Sequence, residues 1–92
     1  MKFYYPVVIR KQPDNTWYGF FPDLAMCEVT GDSVEDVLDR AADAAWTWID
    51  LELSEDEPRL PAATDPVDIP VMKNEQVREI LINYRMTDGW EE

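Results

Sequence analysis

The sequence contains no histidine and only one cysteine, Cys27, among its 92 residues. Without histidine, the chain lacks the most common general base and the most common zinc ligand of proteins. A single cysteine cannot form an intramolecular disulfide, and without a histidine to activate it we interpret Cys27 as a small buried side chain rather than a nucleophile. We therefore expect no catalytic residue, no metal and no cofactor.

Glycines and long apolar runs are also scarce. The three glycines stand alone at positions 19, 31 and 89, which excludes a glycine-rich phosphate loop. No apolar stretch approaches the ~20 residues that a membrane span needs, and the first residues lack the apolar core of a signal peptide. We expect a single soluble, cytoplasmic domain with no membrane partner.

Basic residues are few: eight Lys and Arg stand against twenty Asp and Glu, which gives a net charge of −12. Residues 32–57 carry ten acidic side chains and one basic side chain, Arg40. Proteins bind nucleic acid through Lys and Arg that displace counterions from phosphates, so we expect no direct nucleic-acid binding. The acidic surface either keeps the protein soluble or binds a basic partner.

The first third of the chain has the alternating pattern of β-strands. Residues 3–11 predict one strand, residues 17–21 a second that forms an antiparallel hairpin with it, and residues 26–30 a short third strand. Pro6 lacks an amide hydrogen, so we expect it in an edge strand or at a position where its backbone nitrogen faces away from the neighbouring strand.

A helix is predicted to follow directly. Gly31 can adopt a positive φ, Ser33 can cap the helix by accepting a backbone N–H, and Asp36 can accept one in return. We read Gly31, Asp32 and Ser33 as this helix-start motif. The helix should end near Ser54, before a proline-containing linker.

The predicted helix is amphipathic. At 100° per residue, one arc contains the side chains expected to pack on the sheet: Val34, Leu38, Ala41, Ala42, Ala45 and Ile49. The opposite side of the helix is predicted to carry an acidic stripe: Asp36, Asp39, Asp43, Asp50 and Glu52. Trp46 lies between the two, where a tryptophan can serve as an exposed interface anchor.

After the linker, residues 66–72 predict an edge strand. Asn74 is expected to cap a short helix whose apolar side is Val77, Ile80, Leu81 and Tyr84, and which ends near residues 87–89. The predicted fold is α+β: a three-stranded antiparallel sheet plus an edge strand, with one long helix packed on it and a short C-terminal helix. We divide the chain into a domain of residues 1–72 and a C-terminal helical segment of residues 73–92 that is not a separate domain.

Three segments together resemble the HicB-like antitoxins: YYPVV at 4–8, WYGFFPDL at 17–24 and CEVTGDSVEDVLDRAADA at 27–44. The resemblance covers about residues 3–60, and its motif elements are Phe21, Pro22 and Leu24 with Gly31, Asp32 and Ser33. It implies a partial ribonuclease H-like fold without catalytic carboxylates. It also implies binding to a small basic HicA-type toxin that cleaves mRNA. Ala25 and Met26 depart from the Pro and Gly frequent in this family, so the turn there is expected to differ in shape.

The resemblance makes six residues candidates for partner binding: Asp23, Asp36, Asp39, Asp43, Trp46 and Asp50. Four alternatives stay open. The acidic stripe can be a solvated helix face, and the segment around Asp23 a structural turn. The chain can be a homodimer or larger oligomer that acts as a binding module without a toxin. Asp23, Glu28 and a helix carboxylate can also form the metal site of a residual nuclease.

Overall fold

A computed structural model describes residues 2–84, which form a four-stranded antiparallel sheet with one α-helix on one face. The strand order is β3-β2-β1-β4. The elements are β1 (Lys2–Lys11), β2 (Trp17–Phe20), β3 (Glu28–Gly31), α1 (Val34–Leu53), a 3-10 turn (Pro66–Asp68) and β4 (Glu75–Asn83). The α+β class, the first three strands and the long helix agree with the sequence prediction.

The first strand lies inside the sheet, yet it contains a proline. β4 pairs with residues 2–10 of β1, whereas β2 pairs only with residues 8–11. Pro6 is opposite Glu79 of β4 and lies beyond the last pair with β2. On the β2 side, Pro6 is therefore locally at an edge, which is where a sheet tolerates a residue without an amide hydrogen.

The predictions for the last third of the chain were wrong. Residues 66–72 are not a strand, since Pro66–Asp68 form a 3-10 turn capped by the Asp65 side chain. The predicted C-terminal helix is instead β4, at least as far as Asn83. Residues 85–92, the rest of that predicted segment, lie outside the described residues.

The spacing of apolar residues in β4 fits both a helix and a strand. Val77, Ile80 and Ile82 are β-branched, and such residues favour the extended backbone. Ile80 and Ile82 are opposite Tyr5 and Phe3 of β1, and both pack with the core that lies under the helix. Pairing with a distant strand, which no local pattern reveals, therefore decided the conformation.

One side of α1 supplies a third of the buried core residues. Its fully buried residues are Val37, Ala41, Ala45 and Ile49. They pack with Tyr5, Val7 and Ile9 of β1, and with Phe21, Leu24 and Cys27. Cys27 is buried as predicted, and burial raises the pKa of its thiol to about 11. Within residues 2–84, no helix is both long enough and apolar enough to cross a membrane.

The helix approaches the sheet closely at Gly19. A Cβ atom at this position would lie 2.7 Å from Cγ1 of Val37. The contact is with the end of a side chain, so shortening Val37 would make room for that atom. Gly19 and Val37 are thus a matched pair across the helix–sheet interface.

We expect Gly19→Ala to lower the free energy of unfolding by about 1–3 kcal/mol through overpacking. Val37→Ala alone should also destabilise, because it leaves a cavity. In the double variant the two changes should compensate each other, with a coupling energy of about 0.5–3 kcal/mol. Urea unfolding of the four proteins measures this cycle, and strictly additive losses would contradict the close contact.

Candidate protein-binding surface

The start of α1 has the predicted reciprocal cap. Oγ of Ser33 accepts a hydrogen bond from the Asp36 amide at 3.0 Å, and Oδ2 of Asp36 accepts one from the Asp32 amide at 3.0 Å. Arg40 donates from Nε to Oδ1 of Asp36 at 3.3 Å. The Asp32 hydrogen bond, with a smaller effect from Arg40, lowers the pKa of Asp36.

Gly31 serves the cap by leaving space rather than by a special backbone angle. A Cβ atom there would lie 2.7 Å from Oδ2 of Asp36, and the φ angle is outside the positive range expected from the sequence. With a larger residue at position 31, the Asp36 side chain would have to move away from the Asp32 amide. Asp36, which the sequence makes a candidate for partner binding, is therefore also part of the helix-start structure.

The outer side of α1 presents unpaired carboxylates. Glu35, Asp39 and Asp43 are exposed, and in residues 2–84 none of the three carboxylates accepts a hydrogen bond or forms an ion pair. Glu52 does not lie on this outer side of α1. It follows Val34 by 18 residues, which is five full helical turns, so it lies on the same side of the helix as Val34. It accepts a hydrogen bond from the Arg59 amide at 2.9 Å and fixes the linker.

Asp50 and Trp46 hold the end of β4 against the helix. The Tyr84 hydroxyl donates to Oδ1 of Asp50 at 2.7 Å, and this bond raises the pKa of Tyr84. The ring of Trp46 lies 5.3 Å from the ring of Tyr84, centroid to centroid, and is half-buried against the core. Both residues thus stabilise the fold at the position where the sequence placed an interface.

Asp23 lies in the turn between β2 and β3 and fastens the linker to it. Its carboxylate accepts from the Thr64 amide at 2.8 Å and from the Thr64 hydroxyl at 2.6 Å. Around it, Phe21 and Leu24 are buried, and the Leu24 amide donates to the Phe21 carbonyl at 3.3 Å. Pro22, next to Asp23, is exposed. The FPDL segment is therefore a structural turn in this chain.

The carboxylates of the alternative metal site are not gathered. Asp23 is bonded to Thr64, while Glu28 on β3 accepts from the Tyr18 hydroxyl at 3.2 Å. Within the described part of the chain, no three acidic or thiol side chains are close enough together to hold a metal ion.

The structure contains an apolar groove that is not among the features predicted from the sequence. It lies between α1 and the start of β3, lined by Met26, Cys27, Glu28, Ala44, Thr47, Trp48 and Leu51. The side chains of Met26 and Leu51 are 94% and 63% exposed. Ala44, Trp48 and Leu51 follow i, i+4, i+7 spacing, a second apolar stripe that the sequence could have revealed. The position of Met26 beside this stripe could not be read from the sequence, because it depends on the path of the turn between β2 and β3.

Comparison with known proteins gives a consistent result. The family model described as the HicB-like antitoxin of bacterial toxin–antitoxin systems matches residues 5–83. No curated protein sequence matches the chain.

Three solved structures are similar. A chain of a toxin–antitoxin complex from Streptococcus pneumoniae superposes with a TM-score of 0.77 at 14% identity, covering 100% of this chain and 79% of that one. The N-terminal domain of the Burkholderia pseudomallei antitoxin HicB superposes with a TM-score of 0.65 at 16% sequence identity. A chain of the HicA3 and HicB3 toxin–antitoxin complex superposes with a TM-score of 0.63 at 27% sequence identity. Each of the last two similarities covers 91% of this chain and 100% of the other.

The cap predicts a specific response to acid. The pKa of Asp36 is lower in the folded state than in the unfolded state, so its carboxylate stabilises the fold above the unfolded pKa, and that stabilisation is lost as the pH falls through the folded pKa. Asp36→Asn should therefore be less stable than the wild type at pH 7, with a difference that shrinks on acidification. Denaturant unfolding from pH 7 to pH 2 measures this. Asp39→Asn is the control, and a difference for Asp36→Asn that is independent of pH would contradict the prediction.

Proposed function

Because this chain belongs to the HicB-like antitoxin family, we propose that it is a non-catalytic antitoxin that binds a small basic HicA-type ribonuclease in the cytoplasm and blocks its RNA-binding surface. The observation that carries the proposal is a set of carboxylates on the outer side of α1 that have no partner within residues 2–84: Glu35, Asp39 and Asp43. Two of the similar structures are toxin–antitoxin complexes, which supports a protein partner.

Charge explains how such a surface can neutralise a nuclease that binds RNA. A net charge of −12 on 92 residues attracts a basic protein over a distance of about 10 Å at moderate salt. Carboxylates on one helix face can then occupy the cationic groups that otherwise bind phosphates. Such inhibition needs no catalysis, in keeping with a chain that has no histidine.

The geometry divides the six candidate residues by role. Asp39 and Asp43 are the contact residues in this proposal, because their carboxylates are exposed and unpaired in residues 2–84. Asp36, Asp50 and Asp23 each accept intramolecular hydrogen bonds. These three, together with Trp46, preserve the shape of the surface rather than contact the partner.

The proposal is tested by co-purification with the product of the adjacent reading frame. If that product is a small basic protein, it should bind at low salt and lose its ribonuclease activity. A product that is not basic, or that fails to bind at low salt, would refute the proposal.

Charge removal tests the surface. Asp39→Asn with Asp43→Asn should slow association several-fold at low salt, and the effect should diminish as salt rises, because surface electrostatics act chiefly on the association rate. Asp56→Asn with Asp68→Asn is the matched control, since it removes the same charge from exposed linker positions. Equal effects of the two pairs would show that only net charge matters and that α1 is not the contact face.

A second candidate function is a homo-oligomeric binding module, and the outer edge of β4 favours it. Among the strands of residues 2–84, β4 has β1 as its one neighbour. Its nine residues contain no proline, and their register with β1 has no bulge. Prolines and bulges are two features with which natural proteins keep a long edge strand from pairing with another strand. The outer edge of β4 has neither and is therefore open to such pairing.

A second copy can pair with this edge without a clash of charges. A twofold axis perpendicular to the sheet keeps each side chain on its own face, so residues pair only with residues of the same face. With Leu81 opposite its own copy, Ile80 is opposite Ile82 and Glu79 is opposite Asn83. No like charges then face each other.

Light scattering tests this second candidate. The wild type should show a dimer whose population rises with concentration. Leu81→Lys should dissociate it by placing two ammonium groups opposite each other, and the fold should tolerate the change because Leu81 is 43% exposed. Thr47→Lys adds the same charge on the exposed side of α1 and should remain dimeric. A wild type that stays monomeric at high concentration would exclude the homo-oligomer.

A further inference from the structure

Met26 combines an unfavourable backbone angle with an exposed side chain. Its φ angle is +62°, in the left-handed region that favours glycine. Asn15, with φ +71°, is the other non-glycine residue in residues 2–84 with a positive φ, and asparagine enters this region readily. A long unbranched side chain such as methionine has no such advantage.

The side chain of Met26 contributes little to folding. It is 94% exposed, so it gains almost nothing from the hydrophobic effect within residues 2–84. The turn is held instead by its neighbours: Nε1 of Trp48 donates to the Ala25 carbonyl at 3.0 Å, and the Cys27 amide donates to the Leu24 carbonyl at 3.1 Å. These bonds impose the angle of Met26 on the backbone, and residues held under such strain cluster at functional sites.

Met26 forms the rim of the apolar groove described above. Trp48 and Leu51 of α1 lie across from it, and Leu51 is also mostly exposed. Methionine and tryptophan are enriched in the cores of protein interfaces, since they offer a large contact area. The groove therefore has the composition of the apolar centre of an interface.

The groove continues the acidic surface of α1. Asp43, Thr47 and Leu51 follow one another at intervals of four residues, so the unpaired carboxylates lead directly to the groove wall. The Thr47 hydroxyl donates to the Asp43 carbonyl at 3.1 Å, and Glu28 lines the groove on the side of β3. An apolar patch with acidic residues around it is complementary to an apolar side chain with basic residues around it.

We infer that Met26, Leu51 and Trp48 form the apolar anchor of the surface through which this chain binds its basic toxin. The inference rests on the proposed function and deepens it, since it identifies the occupant of the groove as an apolar side chain on the basic face of the toxin. The carboxylates of α1 speed association, and the anchor slows dissociation.

Two variants of Met26 separate folding from binding. Met26→Gly removes the side chain and relieves the backbone angle, so its thermal midpoint should rise while toxin binding weakens by about tenfold or more, the loss expected for an interface anchor. Met26→Ala removes most of the side chain but keeps the unfavourable angle, so it should weaken binding equally without a rise in the midpoint. Leu51→Ala should also weaken binding.

Met72→Ala is the matched control, because Met72 is 70% exposed and lies outside the groove. It should bind as the wild type does. Calorimetric titration of each purified variant with the co-purified basic toxin gives the affinities. Unchanged affinity of Met26→Gly, with a wild type that binds the toxin, would overturn the anchor and leave the proposed function intact. A wild type that does not bind the toxin would overturn both.

Discussion

The pairing of β1 with β4 is the contact on which the rest of the structure depends. Nine residue pairs join the first residues of the described chain to its last strand. This register brings Ile80 and Ile82 to the core and places Tyr84 where its hydroxyl reaches Asp50 and its ring reaches Trp46. The linker between α1 and β4 is held by Tyr5, whose hydroxyl donates to the Pro61 carbonyl, and by Asp23.

The acidic residues of this chain have two physical roles. Those with intramolecular partners, such as Asp23, Asp36 and Asp50, exchange water for hydrogen bonds with backbone or hydroxyl donors and so define the turn, the helix start and the end of β4. Those without partners in residues 2–84, such as Asp39 and Asp43, leave their carboxylates exposed at the surface. The second group can contact a basic partner without giving up an intramolecular hydrogen bond.

The turn before β3 links stability to the surface. Met26 adopts a left-handed backbone angle in this turn, and the turn is held by the bond from Trp48 to the Ala25 carbonyl. The turn thus has a backbone angle that suits glycine while it presents a large apolar side chain beside α1. That Ala25 and Met26 give it a shape different from that of other family members stays a prediction.

Local chemistry made much of the fold predictable. The alternation of residues 3–11 and 17–21, the cap at Ser33 and the apolar arc of α1 all act between residues close in sequence, and each was predicted near its observed place. The last third was mispredicted because apolar spacing in residues 77–84 fits a helix and a strand equally. The candidate binding residues were only partly predictable, since the sequence shows that a side chain is charged but not whether a distant donor already forms a hydrogen bond with it.

The sequence by itself determined the family, the helix with its acidic exterior and the absence of histidine, because these follow from residue types and short spacings. Tertiary structure alone decided that residues 75–83 become a strand, that Asp50 and Asp23 serve the fold, and that Met26 meets Trp48 and Leu51 at one groove. Each of these depends on residues more than 20 positions apart, which come together only when the sheet and helix pack.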